Sequence, residues 1–191
     1  MRAARAGFAE RGYAAVTLDE VARAAHATTG AVYHHFGGKA GLLLAVGEQG
    51  EREIAAAIGA RIPAGASPWE AIAAATEATL DLCTRPEVAR IIFEECPNTL
   101  GAAAWREVEM RYGLGGLHAM FRRAADAGEL QPPDPELVTR VFMAGLTEAV
   151  AAIVEDGSTE RARGSRAVAA RLLEAFRARP PAPRSDRDGR A

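Results

Sequence analysis

The stretch Thr17–Lys39, TLDEVARAAHATTGAVYHHFGGK, constrains this chain more than any other. It holds two short helical patterns separated by a tight break, and a third begins at once. Thr17 is placed to cap the first pattern, in which Leu18, Val21 and Ala22 recur on one face. After the break at Ala25-His26-Ala27, Thr28 is placed to cap the second, whose apolar side reads Ala31, Val32 and Phe36. Two helices of about two turns each, joined by a turn of about three to four residues, make a helix-turn-helix. Such a unit presents the first residues of its second helix to base edges in the major groove.

The wider run Gly7–Leu43, GFAERGYAAVTLDEVARAAHATTGAVYHHFGGKAGLL, closely resembles the DNA-binding segment of the TetR family of bacterial transcriptional regulators. The specific part is Gly30-Ala31-Val32-Tyr33-His34-His35-Phe36, with Lys39 opening the next helix. Beyond about residue 50 the resemblance is architectural. The helix ahead of the motif opens abruptly at Met1, where the resemblance implies one to two preceding turns. The chain departs from the pattern twice. His26 stands where glycine is usual, at a turn position that favours positive φ, a region histidine tolerates better than most residues. Gly38-Lys39-Ala40-Gly41 stands where a serine cap and acidic first-turn residues are common, and glycine is the weaker cap.

The residues divide by task, since phosphate contacts fix register and base-edge contacts choose sequence. Thr17 and Thr28 would offer hydroxyls and helix N-terminal amides to phosphates. The resemblance adds Tyr33 and His34 as backbone-contacting residues, and Lys39 as a charge beside a helix start. Thr29 and Gly30, with Ala27, would face the groove floor, where small side chains favour methyl contacts and shape readout. Taken singly, each has a plainer reading: Thr17 and Thr28 as caps, Tyr33 as a core aromatic, His34-His35 as a solvated pair. The spacing and the GAVYHHF string together favour DNA.

Charge supports this only weakly. Residues 1–50 carry Arg2, Arg5, Arg11, Arg23 and Lys39 against Glu10, Asp19, Glu20 and Glu48, and the whole chain is formally −2. Enzymatic readings find no constellation. His26, His34, His35, His118, Cys83 and Cys96 show no metal-ligand spacing, so neither a metal nor a cofactor is expected. Adjacent histidines on a helix point about 100° apart, so His34 and His35 do not chelate together. Neither a glycine-rich phosphate loop nor a nucleophile elbow occurs. The two cysteines read as buried free thiols rather than a disulfide framework. The apolar runs are interrupted, so no membrane span is expected, and the N-terminus lacks a basic-then-apolar leader, which points to the cytoplasm.

The expected fold is all-α: a three-helix head over residues 1–47, a helical effector-binding and dimerisation body over 48–179, and a disordered tail over 180–191. Helical patterns are expected from Lys39 to Ile62, Trp69 to Thr84, Glu87 to Glu95, where Cys96-Pro97-Asn98 ends the helix, and Ala102 to Ala127. The last of these carries Gly113, Gly115 and Gly116, which signal a kink, a close crossing or room for a ligand. Two final patterns, Glu136–Glu155 and Ser158–Ala178, have apolar stripes broader than one partner helix needs. They suggest a two-fold dimer anchored by Phe142, Leu146, Leu172 and Phe176.

The resemblance places effector binding in residues 68–127. Ile91, Trp105, Tyr112 and Phe121 with Glu94, Asn98 and His118 would suit a small, mostly hydrophobic molecule. The implied function is a ligand-responsive repressor of a palindromic operator on double-stranded DNA. The competing reading is an all-helical protein-interaction module with a vestigial DNA-binding head, favoured by His26, Gly38 and the near-neutral charge.

Overall fold

A computed structural model of the chain describes residues 1–178. The tail expected at 180–191 lies outside them. Nine helices run through the described residues, and their boundaries follow local chemistry. Helix α1, Arg2–Ala15, is broken at Gly12, whose φ of 80° and ψ of 165° only glycine adopts readily. Helix α2, Leu18–Ala24, opens on a reciprocal capping box between Thr17 and Glu20. Helix α3, Thr29–Phe36, is capped by the Thr28 hydroxyl and ended by Gly37 in the left-handed region. Helix α4, Lys39–Gly59, has only Gly38 before it, without a side-chain cap, and stops three residues short of Ile62.

Ser67 and Glu70 form a second capping box, with Pro68 at the first turn of α5, Pro68–Cys83. Helix α6 spans 86–100 and does not end at Cys96-Pro97 as the sequence suggested. Its middle, Ala89–Glu95, is wound as a π-helix, and Cys96–Leu100 continues beyond it before Gly101 at φ 90° ends the run. Proline has no amide to donate and crowds the preceding turn, and the widened winding just before Pro97 accommodates it. Helix α7, 102–126, carries a second π turn at Met110–Leu114. Here lie the clustered glycines. A Cβ on Gly115 would stand 2.7 Å from the Met110 carbonyl oxygen, so the glycine permits the widened winding itself. Helix α8, Pro135–Asp156, is capped by Asp134, and α9, Thr159–Ala175, by Ser158.

Two apolar clusters hold the chain. One joins Ala4, Phe8, Val16, Val21, Val32 and Leu42 of the head to Ile91, Ile92, Cys96, Trp105 and Val108 of α6 and α7. The other packs α5, α7, α8 and α9 around Ile72, Leu80, Phe121, Phe142 and Leu146. The expected boundary at residue 47 falls inside α4, which contributes Leu42, Leu43 and Val46 to the first cluster and Ile54 to the edges of both.

Phe142 and Leu146, expected to anchor a dimer, are 0% and 3% exposed within a single chain. Phe142 packs edge-on against Phe121 with ring centroids 5.6 Å apart. They are spent on the chain's own core. Leu172 is half-buried, its Cδ2 set 2.5 Å from where a Cβ on Gly145 would be, and Phe176 flanks the body cluster. On these two helices the exposed large aliphatic side chains, among the described residues, are Leu137 and Val141 of α8 and Val168 of α9. By length and composition α8 is also apolar enough to cross a membrane, contrary to the sequence reading. Its Val138, Phe142, Leu146, Ala149 and Val150 face the body core instead.

Candidate nucleic-acid interface

Helix α3 is held by little more than one edge. Val32 is buried and Phe36 half-buried, whereas Thr29, Gly30, Ala31, Tyr33, His34 and His35 are exposed. Ala31, expected on the apolar side, therefore belongs to the free face. The helix is held in register by the turn before it. His26 takes φ 54°, the one non-glycine residue of positive φ among the described residues. Its neighbour Ala27 donates its amide to the Ala22 carbonyl at 2.9 Å, which closes the turn behind α2. The positive-φ requirement inferred from the sequence is real, and histidine meets it at a modest cost in strain.

Threonine hydroxyls cap both helix starts. The Thr17 hydroxyl accepts from the Glu20 amide at 3.2 Å, and the Glu20 carboxylate accepts from the Thr17 amide at 3.0 Å. That backbone bond, then the nearby Arg11 guanidinium, holds Glu20 below the ordinary carboxylate range. The Thr28 hydroxyl accepts from the Ala31 amide at 3.1 Å. The first amides of a helix have no intrahelical partner, so those of Thr29 and Gly30 are open to an anion. A Cβ on Gly30 would meet nothing within 4 Å, which leaves a smooth, accessible surface at the tip of α3.

Thr29 is not idle in the free protein. Its hydroxyl donates to the Asp19 carboxylate of α2 at 2.5 Å. From the sequence Asp19 reads, with Glu20, as part of a solvated acidic face, and nothing in a ten-residue separation signals the pairing with Thr29. Tyr33 is 61% exposed, with its ring edge over Gly38, so it is no core aromatic. His34 and His35 are both exposed, and the His35 ring meets the Phe36 ring edge-on with centroids 4.5 Å apart. Lys39 folds inward: its Nζ donates to the Ala14 carbonyl at 3.3 Å and stands 4.2 Å from the Tyr13 ring centroid. An ammonium has three donors, so others remain for a phosphate at the same place.

One more glycine sets the geometry. A Cβ on Gly41 would lie 1.8 Å from the Phe36 carbonyl oxygen, so α4 can start against the end of α3 only without a side chain there. The GGKAG departure noted in the sequence is thus the joint between α3 and α4.

Residues 1–46 match the family model described as bacterial regulatory proteins, tetR family, and residues 69–176 match a tetracyclin repressor-like C-terminal domain. The chain belongs to the TetR family. Among curated proteins it is 28% identical over 142 residues to the Transposon Tn10 TetC protein of Escherichia coli, covering 74% of this chain and 72% of that one. A TetR-family transcriptional regulator from Pectobacterium atrosepticum superposes with a TM-score of 0.79 at 30% identity, over 94% of this chain and 92% of that one. A fatty acid degradation regulator from Bacillus halodurans shares the fold, with a TM-score of 0.75 at 20% identity over 90% and 91%.

As a TetR-family regulator the chain has a DNA-binding head and a ligand-binding type of body, but its seven effector candidates do not converge. Trp105 is 2% exposed, its ring edge against Gly47, and its Nε1 is buried without a partner. Phe121 is core. Tyr112 accepts from Arg52 at 3.1 Å, His118 approaches the Thr139 hydroxyl at 3.4 Å, and Glu94 and Asn98 are exposed on α6. Ile91 is buried where α6 meets α4 and the head. Burial, with Glu51 adding repulsion, pushes both the Cys83 and Cys96 thiols up to about 12, so neither is a thiolate at neutral pH.

Proposed function

We propose that this chain is a sequence-specific regulator that binds a palindromic operator as a homodimer and releases it when a small, mostly hydrophobic molecule binds the body. The observation that carries the reading is the free face of α3, where Thr29, Gly30, Tyr33 and His34 stand exposed on a helix start capped by Thr28. Thr29 and Gly30 read bases. Thr17, Thr28, Tyr33, His34 and Lys39 hold the phosphates. Joining two heads supplies the second half-site that one short helix lacks.

Leu137 and Val141 of α8 with Val168 of α9 give the dimer its face. Leu172, half-buried beside Gly145, lies at the edge of that face. A ligand acts only through its differential affinity for two arrangements of the body, which α4 carries to the head. The test is selection from genomic DNA with the purified full chain, followed by fluorescence anisotropy on the recovered sites across a salt series. Specific binding with a steep salt dependence is expected. Affinity too weak to measure at low salt would instead favour the protein-interaction module.

A further inference from the structure

Head and body meet around a cavity. It lies between α1, α4, α5 and α6, holds about 170 Å³, and is walled by Val46, Ile54, Leu82, Val88, Ile91 and Ile92. Arg5 of α1 closes its rim. The Arg5 guanidinium bonds Glu53 of α4 at 2.5 Å and also pairs with Glu87 of α6. Arg5 and Glu87 line, in addition, an outer groove with Arg2, Ala6, Ala9 and Pro86. The Arg5–Glu87 pair thus partitions the outer groove from the inner cavity, and a swing of this one half-buried arginine would connect them.

Size and charge restrict the occupant. Drug-sized ligands use pockets of roughly 300–1,000 Å³, whereas an apolar cavity of about 150 Å³ takes a single benzene. The lining carries Arg5 and Arg85 against Glu53 and Glu87; Arg5 pairs with both carboxylates and Arg85 is solvent-exposed, so an ionised ligand would lose hydration for at most a screened attraction. Of the residues the sequence put forward for effector binding, Ile91 alone lines this cavity, and Trp105 and Phe121 are packed as core elsewhere.

We propose that this head–body cavity is the effector site, and that it takes a neutral, mostly apolar molecule the size of one aromatic ring. The inference deepens the regulatory reading and rests on it for the consequence of binding. The cavity touches α1 of the head, α4 that enters the head, and α6 of the body. An occupant there bears on the Arg5 bridges that tie the three together.

Toluene is the probe, titrated into the full-length chain and followed by methyl NMR, with operator affinity measured in parallel. Shifts are expected at Val46, Ile54, Leu82, Ile91 and Ile92. Ala57→Leu, which fills the cavity from α4, should abolish them, and Val88→Leu should weaken them should the first variant fail to fold. Saturating toluene should change operator affinity by about fivefold or more in the wild type and not in Ala57→Leu. Shifts at Leu117 and Leu146 of the body core instead, or none up to the solubility of toluene, would overturn the site. Cavity shifts with unchanged operator affinity would overturn its role as an effector site. A chain that binds no DNA defeats the regulatory reading, and the methyl shifts then still decide whether the cavity is a ligand site.

Discussion

The carboxylate of Glu51 on α4 stands 3.4 Å from where a Cβ on Gly113 of α7 would begin. Gly113 lies inside the π turn of α7, where an added methyl would just reach the Glu51 carboxylate. Glu51 is 7% exposed. Burial first, and then the nearby Glu109, pushes its carboxyl up to about 7. Burial likewise raises Glu109, against the opposing pull of Arg106.

Stability should therefore depend on pH through Glu51. The folded chain holds the proton to about 7, whereas the unfolded chain loses it near the ordinary carboxyl value of 4.5. The contribution is fully present below the unfolded value and is lost as pH rises through the folded one. Its size is on the order of 3 kcal/mol. Urea unfolding at intervals from pH 4 to 8 is expected to show this decline, and Glu51→Gln should flatten most of it. A Gln variant that keeps the wild-type slope would place the titration elsewhere.

Gly41 makes a sharper steric demand. With the Phe36 carbonyl oxygen 1.8 Å from the site of a new Cβ, Gly41→Ala has to push α3 away from the start of α4. We expect a loss of at least about 1–3 kcal/mol, with DNA affinity falling further than the folded fraction alone explains. Gly59→Ala is the control, because nothing lies within 4 Å of its added methyl, and a gain of up to about 1 kcal/mol is expected. Equal thermal stability of Gly41→Ala and the wild type would refute the contact.

What the sequence disclosed, and what it hid, follows the range of each interaction. Thr17, Thr28 and Ser67 act within three residues of themselves, so caps and helix starts were legible, as was the positive φ at His26. The end of α6 was misread because Cys96-Pro97 has the local form of a helix stop, whereas tertiary packing of Ile91, Ile92 and Cys96 carries the winding through it. Phe142 and Leu146 were assigned to a dimer because a periodic stripe reveals that a face is buried without revealing by what. The tether of Lys39 to Ala14 and Tyr13, the Asp19–Thr29 bond and the Arg5 bridges join segments far apart in sequence, and no local pattern encodes them.

At the DNA face, Thr29 and Lys39 should separate cleanly. Thr29→Val removes the hydroxyl that Asp19 holds, and is expected to reorder the preferred sequences by about 1–3 kcal/mol at the affected base pair. Lys39→Ala should weaken every site about equally and reduce the salt slope by about one. Asp19→Ala frees Thr29 and removes a negative charge from beside the α3 start, so affinity should rise at all sites. Anisotropy on a panel of single-base variants reads all three. An unchanged salt slope in Lys39→Ala would withdraw that residue from the interface.

The association face can be distinguished from the core by opposite responses to mutation. Val141 and Val168 are 46% and 65% exposed on neighbouring helices, and with Leu137 they are apolar side chains that the described residues leave uncovered. Phe142, one residue from Val141, points the other way into Phe121. Val141→Glu and Val168→Glu should therefore leave helical content intact and shift light scattering at micromolar concentration from dimer to monomer, because like charges would face each other across a two-fold axis. Phe142→Ala should instead cost about 3–5 kcal/mol of folding stability, whatever its secondary effect on assembly. If the two glutamate variants remain dimeric while Phe142→Ala yields a well-folded monomer, the anchors are the buried residues after all, and the exposed side chains are not the interface.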